Sequence, residues 1–269
     1  MTPTVAQRLA DLYGALDAMA QVAVAVSGGV DSMTLACAAH RRLGDRATMF
    51  HAVSPAVPPE ATERTRRHAA RLGWRLEVIE AGEFADPDYV RNPVNRCFFC
   101  KSNLYASIAR HCDVTIVSGT NLDDLADFRP GLEAARNHRV RHPFVEAGID
   151  KSQVRAIAHS FELDDVATLP ASPCLSSRLE TGLRVTPEAL RLVHEVERYV
   201  RGCIDASSVR CRVRREGLVI ELDDDAFDHL GPNRQQQLRE EIARLAAARG
   251  QGAPVLFARY RMGSAFLRE

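Results

Sequence analysis

The residues near the N-terminus best suited to chemistry form the loop Ser27-Gly-Gly-Val-Asp-Ser32, which follows the short apolar run 22–26. The alternation of Val and Ala in that run predicts a buried parallel strand, and the apolar spacing after the loop predicts a helix. A strand that turns through glycines into a helix directs backbone N–H groups and the positive helix end at one point, which suits an anion. The alternative is an ordinary turn with a Ser N-cap.

This loop differs from the two common nucleotide-binding loops. It has no Gly-Lys-Ser/Thr ending, which excludes a Walker loop, and no Gly-x-Gly-x-x-Gly, which excludes a dinucleotide loop. It resembles instead the PP-loop of the ATP pyrophosphatases. This resemblance implies that the backbone, with Gly28 and Gly29, and the hydroxyls of Ser27 and Ser32 contact the phosphates, while Asp31 helps to hold Mg²⁺.

A second polar segment, Ser118-Gly-Thr-Asn-Leu-Asp-Asp124, ends a later apolar run. Gly119 allows a close backbone approach, and the polar side chains after it suit a ribose, a phosphate or Mg²⁺. Arg129 supplies a guanidinium that can face a phosphate. A helix cap is the alternative for the segment taken alone. The candidate ligands after Gly119 are Thr120, Asn121, Asp123 and Asp124.

Three of the seven cysteines form the third pattern: Cys97 and Cys100, in Arg-Cys-Phe-Phe-Cys-Lys101, and Cys174. A Cys-x-x-Cys pair binds metal, exchanges thiols or is incidental. The chain lacks the context of a thioredoxin and the four ligands of a structural zinc site. Three thiolates would suit a [4Fe–4S] cluster with one open iron. We expect the other four cysteines to be structural, because unpaired cysteines are usually buried.

The fourth pattern is a row of arginines, Arg210, Arg212 and Arg214, on one face of a predicted strand. Such a row can bind a phosphate bidentately, and a solvated edge strand would carry charges in the same way.

The elements that must position these residues alternate between strands and helices. This alternation predicts an α/β fold with a doubly wound parallel sheet that binds ligands at the carboxyl ends of its strands. A Pro- and Ser-containing stretch then separates a first domain, 1–170, from a small α+β domain, 171–269. The predicted strands of the first domain are 22–26, 47–53, 75–80, 114–118 and 138–144, and its predicted helices are 4–20, 60–72, 99–111 and 151–161. Those of the second are helices 187–200 and 232–248 and strands 208–214, 218–222 and 255–260.

Composition sets the outer limits. The chain has 269 residues, with 35 basic and 35 acidic side chains, so its formal charge is zero and no global field attracts nucleic acid or a membrane. The N-terminus resembles neither a signal peptide nor a presequence, and no stretch is long and apolar enough to span a bilayer. We therefore expect a cytoplasmic protein that contacts no membrane.

Taken together and in order, these motifs resemble the LarE family, PP-loop ATP pyrophosphatases that transfer sulfur in nickel-pincer nucleotide biosynthesis. Further matches are Asp150-Lys-Ser-Gln-Val-Arg155, Pro-Cys-Leu-Ser-Ser-Arg178 and Arg-Val-Arg214, so the resemblance covers nearly the whole chain. It implies that ATP and Mg²⁺ adenylate a carboxylate of a pyridinium dicarboxylate mononucleotide, and that sulfur then displaces AMP. It also implies roles in substrate binding, for Lys101, Ser177, Arg178, Arg212, Arg214, Glu197 and Glu221.

Family members supply sulfur in two ways, either from a sacrificed cysteine at the position of Cys174 or from a sulfide on a cluster held by three cysteines. The presence of Cys97 and Cys100 favours the cluster type. The resemblance also implies a trimer or hexamer, and it leaves the sulfide source open, a donor protein being one option. The rival hypotheses are a tRNA thiolase, which would need a basic RNA surface, and a nucleotide sensor, which would not need Cys174.

Overall fold

A computed structural model describes residues 4–126, 130–170 and 173–266, and the chain divides into two compact units. The first unit is Met1–Glu83 with Asn95–Ser172, and the second is Phe84–Val94 with Pro173–Glu269. The sequence predicted two continuous domains, whereas the second unit also takes up a short segment from the middle of the first.

The first unit contains a parallel sheet, as predicted, but the sheet has four strands and not five. Its strands are β1 (Val22–Ala25), β2 (Ala47–Val53), β3 (Arg75–Glu80) and β4 (Thr115–Ser118). The strand order is β3-β2-β1-β4, so the order reverses between β1 and β4, and the loops after those two strands flank the switch point. Ligands of such sheets bind at this point, beyond the carboxyl ends of the strands.

Helices cover both faces of this sheet. Val22 and Val24 of β1 join one apolar cluster, whereas Ala23 and Ala25 join another, so the strand is buried on both sides. This explains its run of small and β-branched apolar residues. The helices of the first unit are α1 (Val5–Asp17), α2 (Val30–Leu43), α3 (Pro59–Leu72), α5 (Arg96–His111), α6 (Pro130–Asn137), α7 (Pro143–Glu146), α8 (Lys151–Ser160) and α9 (Asp164–Ala167).

The predicted strand 138–144 is wrong. Only Arg141 pairs with the sheet, through a single bridge to Val117. Pro143 cannot donate a hydrogen bond to a ladder and instead begins the short helix α7.

The second unit is a small α+β domain, as predicted. Its elements are α4 (Pro87–Val90), α10 (Pro187–Cys203), β5 (Val209–Arg214), β6 (Gly217–Leu222), α11 (Asp224–His229), α12 (Pro232–Ala247) and β7 (Val255–Arg259). The three strands form a sheet in which β5 is antiparallel and β7 parallel to the central β6. Arg215 and Glu216 separate β5 from β6, and α10 packs on β5.

Among the described residues, every helix is too short or too polar to cross a membrane.

Candidate functional site

The loop between β1 and α2 is held in shape by two hydroxyls and a glycine. The Ser32 hydroxyl accepts a hydrogen bond from the Ser27 backbone N–H at 3.0 Å and lies 3.1 Å from the Ser27 hydroxyl. Gly28 has a φ of +81°, and a Cβ there would lie 2.7 Å from the Ala61 carbonyl oxygen. Only glycine fits this position. The N–H groups of the first turn of α2 have no partner within the helix, which makes the loop a suitable anion site.

Asp31, in that first turn, connects three segments of the first unit. One of its carboxylate oxygens pairs with the Lys151 ammonium at 2.6 Å, and the other accepts from the Asn121 side-chain amide at 3.1 Å. The Lys151 backbone N–H also donates to Asp123 at 3.2 Å. The loop, the segment after β4 and the start of α8 therefore meet around one carboxylate.

The segment after β4 approaches the loop closely at Gly119. A Cβ there would lie 2.7 Å from the backbone carbon of Asp31 and 2.8 Å from the Ser32 nitrogen. Asn121 and Asp124 also form a capping box for the short 3₁₀ turn Leu122–Leu125. The helix-cap interpretation is therefore correct for the local geometry, and it holds together with the contact to Asp31. Arg129 lies outside the described residues.

Two histidines contact the residues next to these two polar segments, His51 at Val26 and His142 at Ser118. Burial lowers the pKa of His51, whose Nδ1 lies 2.8 Å from the Val26 carbonyl and whose Nε2 lies 2.9 Å from the Thr62 hydroxyl. Burial also lowers the pKa of His142, whose Nδ1 lies 2.9 Å from the Ser118 hydroxyl. Both rings favour the neutral form, so they support the backbone and hydroxyl groups around the loop without adding charge.

The arrangement contains two cations to which we assigned no site role. The position of Lys151 could have been predicted from the sequence, because Asp150 and Gln153 have the types and spacing of a capping box. This capping box places Lys151 in the first turn of α8. The Nη1 of Arg64 donates to the Gly28 carbonyl oxygen at 2.7 Å. No motif marks Arg64, since it is one of several arginines on α3 and only the packing of α3 against the loop brings it there.

Cys97 and Cys100 lie in the first turns of α5, which begins three residues earlier than predicted. Both are half-buried and are three residues apart, so they share a face of the helix. Lys101 lies beside them, with its ammonium 5.9 Å from the centre of the Tyr105 ring. Among the described residues, His, Cys, Asp and Glu side chains form no group of three suited to a metal ion.

Cys174 belongs to the second unit, where it precedes the 3₁₀ turn Leu175–Arg178. The buried Arg178 guanidinium pairs with Glu197 at 2.9 and 3.1 Å. It also donates to the carbonyl oxygens of Pro173 at 2.6 Å and Cys174 at 3.2 Å, and to the Ser177 hydroxyl at 3.1 Å. Arg178 thus fixes the backbone conformation at Cys174.

The arginine row of β5 is anchored by a second acid. Glu221 of β6 accepts from Arg212 at 2.9 Å, from Arg214 at 3.2 Å and from the Ser264 hydroxyl at 2.6 Å. Arg212 is buried, whereas Arg214 remains about a quarter exposed. The structure thus brings Arg212, Arg214 and Glu221 together, and of these Arg214 is the more accessible to a ligand.

The remaining cysteines follow the structural expectation in part. Burial raises the pKa of Cys37, Cys112 and Cys211 and favours their protonated thiols. Cys203, at the end of α10, is half-buried.

Comparisons with known proteins find similar chains, two of which are named as enzymes. It is 37% identical over 220 residues to an uncharacterized protein of Synechocystis sp., covering 80% of each chain. It is 29% identical over 224 residues to the pyridinium-3,5-bisthiocarboxylic acid mononucleotide synthase of Lactiplantibacillus plantarum, covering 81% of this chain and 80% of that one. It is 28% identical over 210 residues to the glutamine-hydrolyzing GMP synthase of Aeropyrum pernix, covering 69% of this chain and 40% of that one. No family model matches the chain.

Proposed function

Because the chain belongs to the LarE family of PP-loop proteins, we propose that it is an ATP-dependent sulfur transferase. Its substrate would be pyridinium-3,5-biscarboxylic acid mononucleotide, one carboxylate of which becomes a thiocarboxylate. The observation that carries this proposal is the meeting of the loop 27–32 with Gly119 and Asn121 around Asp31. An anion-binding turn and oxygen ligands at the switch point of a parallel sheet suit a nucleoside triphosphate.

The proposed reaction has two steps. A substrate carboxylate oxygen attacks the α-phosphorus of ATP, the bond to the β-phosphate breaks, and pyrophosphate leaves. A sulfur nucleophile then attacks the acyl carbon of the adenylate, and AMP leaves with the electron pair of the broken C–O bond. The loop N–H groups and the Lys151 ammonium would stabilise the negative charge that develops on the phosphates.

The oxygen ligands fit Mg²⁺ in kind. Asp31 and Asp123 both lie within hydrogen-bonding distance of Lys151, and carboxylates together with substrate phosphates are the usual ligands of this ion. When bound, Mg²⁺ would neutralise phosphate charge. In the absence of Mg²⁺, the Lys151 ammonium balances the charge of the Asp31 carboxylate.

The thiols fit an iron–sulfur cluster in kind as well. Cys97 and Cys100 lie on one helix face, and soft thiolates are the usual ligands of such clusters. We propose that Cys174 is the third ligand, and that the cluster, when bound, holds the sulfide for transfer. Sacrifice of the Cys174 sulfur is the alternative within the same reaction.

The experiment is anaerobic purification with iron and acid-labile sulfide analysis, and intact mass before and after turnover with ATP and the mononucleotide. We expect the wild-type protein to contain iron and sulfide, to form AMP and pyrophosphate and to keep its mass. Cys97→Ser should lose the iron. Cys112→Ser is the matched control, because Cys112 follows the same helix and its thiol donates to the Ile108 carbonyl of that helix.

Other results would redirect the proposal. Protein without iron, in which Cys174 loses the mass of hydrogen sulfide, would replace the cluster with the sacrificial route. A protein that forms no AMP from the mononucleotide and ATP would refute the sulfur-transferase proposal altogether.

A further inference from the structure

The loop 27–32 carries an acid and no cation. Its sequence lacks the lysine that Walker loops direct at the terminal phosphates, and Asp31 adds a negative charge of its own. Backbone N–H groups and the helix dipole supply only partial positive charge. A triphosphate bound here therefore needs a cation from another part of the chain.

Lys151 and Arg64 are two cations that contact the loop. The Lys151 ammonium is paired with Asp31 at 2.6 Å, so much of its charge is already balanced. Arg64 contacts a neutral loop carbonyl, that of Gly28. A hydrogen bond to a neutral carbonyl does not cancel the charge of the guanidinium, so that charge can still act on a ligand.

The position of Arg64 is fixed by packing. The Ala61 carbonyl lies so close to Gly28 that a Cβ at Gly28 would lie only 2.7 Å away. Arg64 follows Ala61 by three residues on α3, and residues at this spacing share a face of a helix. The face of α3 that covers the loop therefore also presents the guanidinium.

Electrostatics favour an anion beside this group. Arg64 is half-buried, and burial lowers the pKa of its guanidinium. Arg67 lowers this pKa as well, whereas the carboxylates of Asp165 and Glu60 raise it. A guanidinium has five N–H donors, and the bond to Gly28 uses one. A partly buried guanidinium that has several N–H donors not used by the protein is the usual arginine arrangement for binding phosphate.

We propose that Arg64 is a phosphate-binding cation of this loop, in addition to Lys151, and that it contacts the pyrophosphate portion of ATP. This inference rests on the proposal that the loop binds ATP. The terminal phosphates carry most of the charge of the nucleotide, and further charge develops on them as pyrophosphate leaves. Arg64 would donate one N–H to the Gly28 carbonyl and other N–H groups to the phosphates. It would therefore bind the pyrophosphate leaving group and also fix the conformation of the loop.

The test compares nucleotide binding by Arg64→Gln and by the wild-type protein, measured by calorimetry with ATP, pyrophosphate and AMP in the presence of Mg²⁺. Glutamine keeps an N–H donor for the Gly28 carbonyl but removes the charge. We expect affinity for ATP and pyrophosphate to fall about 10- to 100-fold, and AMP binding to stay unchanged. Arg66→Gln, on an exposed position of the same helix, is the matched control and should bind all three ligands like wild type.

Two outcomes would overturn the assignment. Unchanged ATP and pyrophosphate affinity would show that Arg64 does not contact the phosphates. An equal loss for ATP and AMP would show that Arg64 only shapes the loop. If Arg64→Gln fails to fold, Arg64→Met takes its place, because methionine also removes the charge and keeps an unbranched apolar stem, with weaker ATP binding and unchanged AMP binding expected and the same two overturning results.

The titrations need no sulfur acceptor, so they separate the two proposals. Wild-type protein that binds ATP but transfers no sulfur would refute the proposed function, and the role of Arg64 would still be decided by the variants. Wild-type protein that binds neither ATP nor pyrophosphate would refute both.

Discussion

Gly119 shows how little space separates the two polar segments of the first unit. A side chain at this position would meet the backbone of Asp31 and Ser32, not a flexible neighbour that could move away. The backbone of one segment must therefore shift if any Cβ is added. Gly14 of α1 offers the opposite case, since a Cβ there would meet nothing within 4 Å.

We predict that Gly119→Ala destabilises the protein by about 1–3 kcal/mol, the usual cost of forced overpacking, and that it weakens ATP binding. Gly14→Ala should stabilise α1 by about 0.5–1 kcal/mol, because alanine is the better helix former. Urea denaturation and ATP titration of both variants are the measurements. A Gly119→Ala protein with wild-type stability and affinity would contradict the close approach of the two segments.

The buried pair Arg178–Glu197 makes stability depend on pH. Burial alone would raise the pKa of Glu197, but the Arg178 ion pair and the Cys211 N–H outweigh it and hold the pKa below its ordinary value. A carboxyl with a depressed folded-state pKa binds protons more readily in the unfolded chain. Its contribution to stability is thus complete above the ordinary Glu pKa of about 4.3 and is lost as the pH falls through the folded-state value.

For Glu197→Gln we predict a free energy of unfolding about 3–5 kcal/mol below that of wild type near neutral pH, because an unpaired Arg178 stays buried. This difference should narrow as the pH falls below about 4.3. Denaturant unfolding of both proteins at a series of pH values is the measurement. A difference that stays constant down to about pH 3 would contradict the depressed pKa.

Much of the candidate site could be predicted from residue types and spacing, because motifs that follow neighbouring parallel strands end at the same sheet edge. Asp31, Gly119 and Asn121 meet there as expected of such a sheet. Arg64 could not be predicted, since nothing in its local sequence differs from the arginines around it. Its contact with the Gly28 carbonyl depends on the packing of α3 against the loop, which is a property of the tertiary structure.

At the scale of elements, strongly periodic segments were predicted well and polar segments less well. β2 and β3 have the predicted bounds, because apolar alternation bounded by turns is typical of strands. The segment 138–144 failed because its residues alternate like a strand while Pro143 prevents the ladder from continuing. The start of α5 was predicted too late, although Asn95, a residue type favoured at N-caps, directly precedes it.

The hairpin of β5 and β6 depends on Gly217. This residue has a φ of +141°, and a Cβ there would collide with the Pro254 carbonyl oxygen. The same residue pairs with Arg214 in the antiparallel register. A glycine at this position therefore keeps the arginine row in register with Glu221.

We predict that Gly217→Ala lowers the free energy of unfolding by about 1–3 kcal/mol, through backbone strain and the collision with Pro254. Gly252→Ala is the control, because a Cβ at Gly252 would meet nothing within 4 Å. Thermal unfolding of the two variants is the measurement. Equal transition temperatures for Gly217→Ala and wild type would argue against this turn geometry.

At the scale of the whole molecule, charge balance separates the proposed reaction from tRNA thiolation. Acidic and basic side chains are equal in number, so the protein lacks the excess of Lys and Arg that drives non-specific RNA binding. The proposed small-molecule substrate requires only the local arginine row.

We predict that the protein does not bind bulk tRNA measurably at low ionic strength, whereas it binds ATP under the same conditions. Fluorescence anisotropy with labelled tRNA, at two or more salt concentrations, is the measurement. Tight binding that weakens steeply with added salt would reveal a local basic surface and revive the tRNA hypothesis.

The segment Phe84–Val94 has a consequence for how this protein is made. Tyr89 bonds to the Ser176 hydroxyl 87 residues later, and the Asn92 amide donates to the Glu180 carbonyl. At about 5–20 residues per second, the ribosome needs roughly 4–17 s to add the residues between Tyr89 and Ser176. During that time the segment Phe84–Val94 lacks its partners Ser176 and Glu180. All four strands of the sheet in the first unit, in contrast, have been made once Ser118 is added. The ribosome therefore completes the loop 27–32 and its partners Gly119 and Asn121 before it makes the loop that contains Cys174.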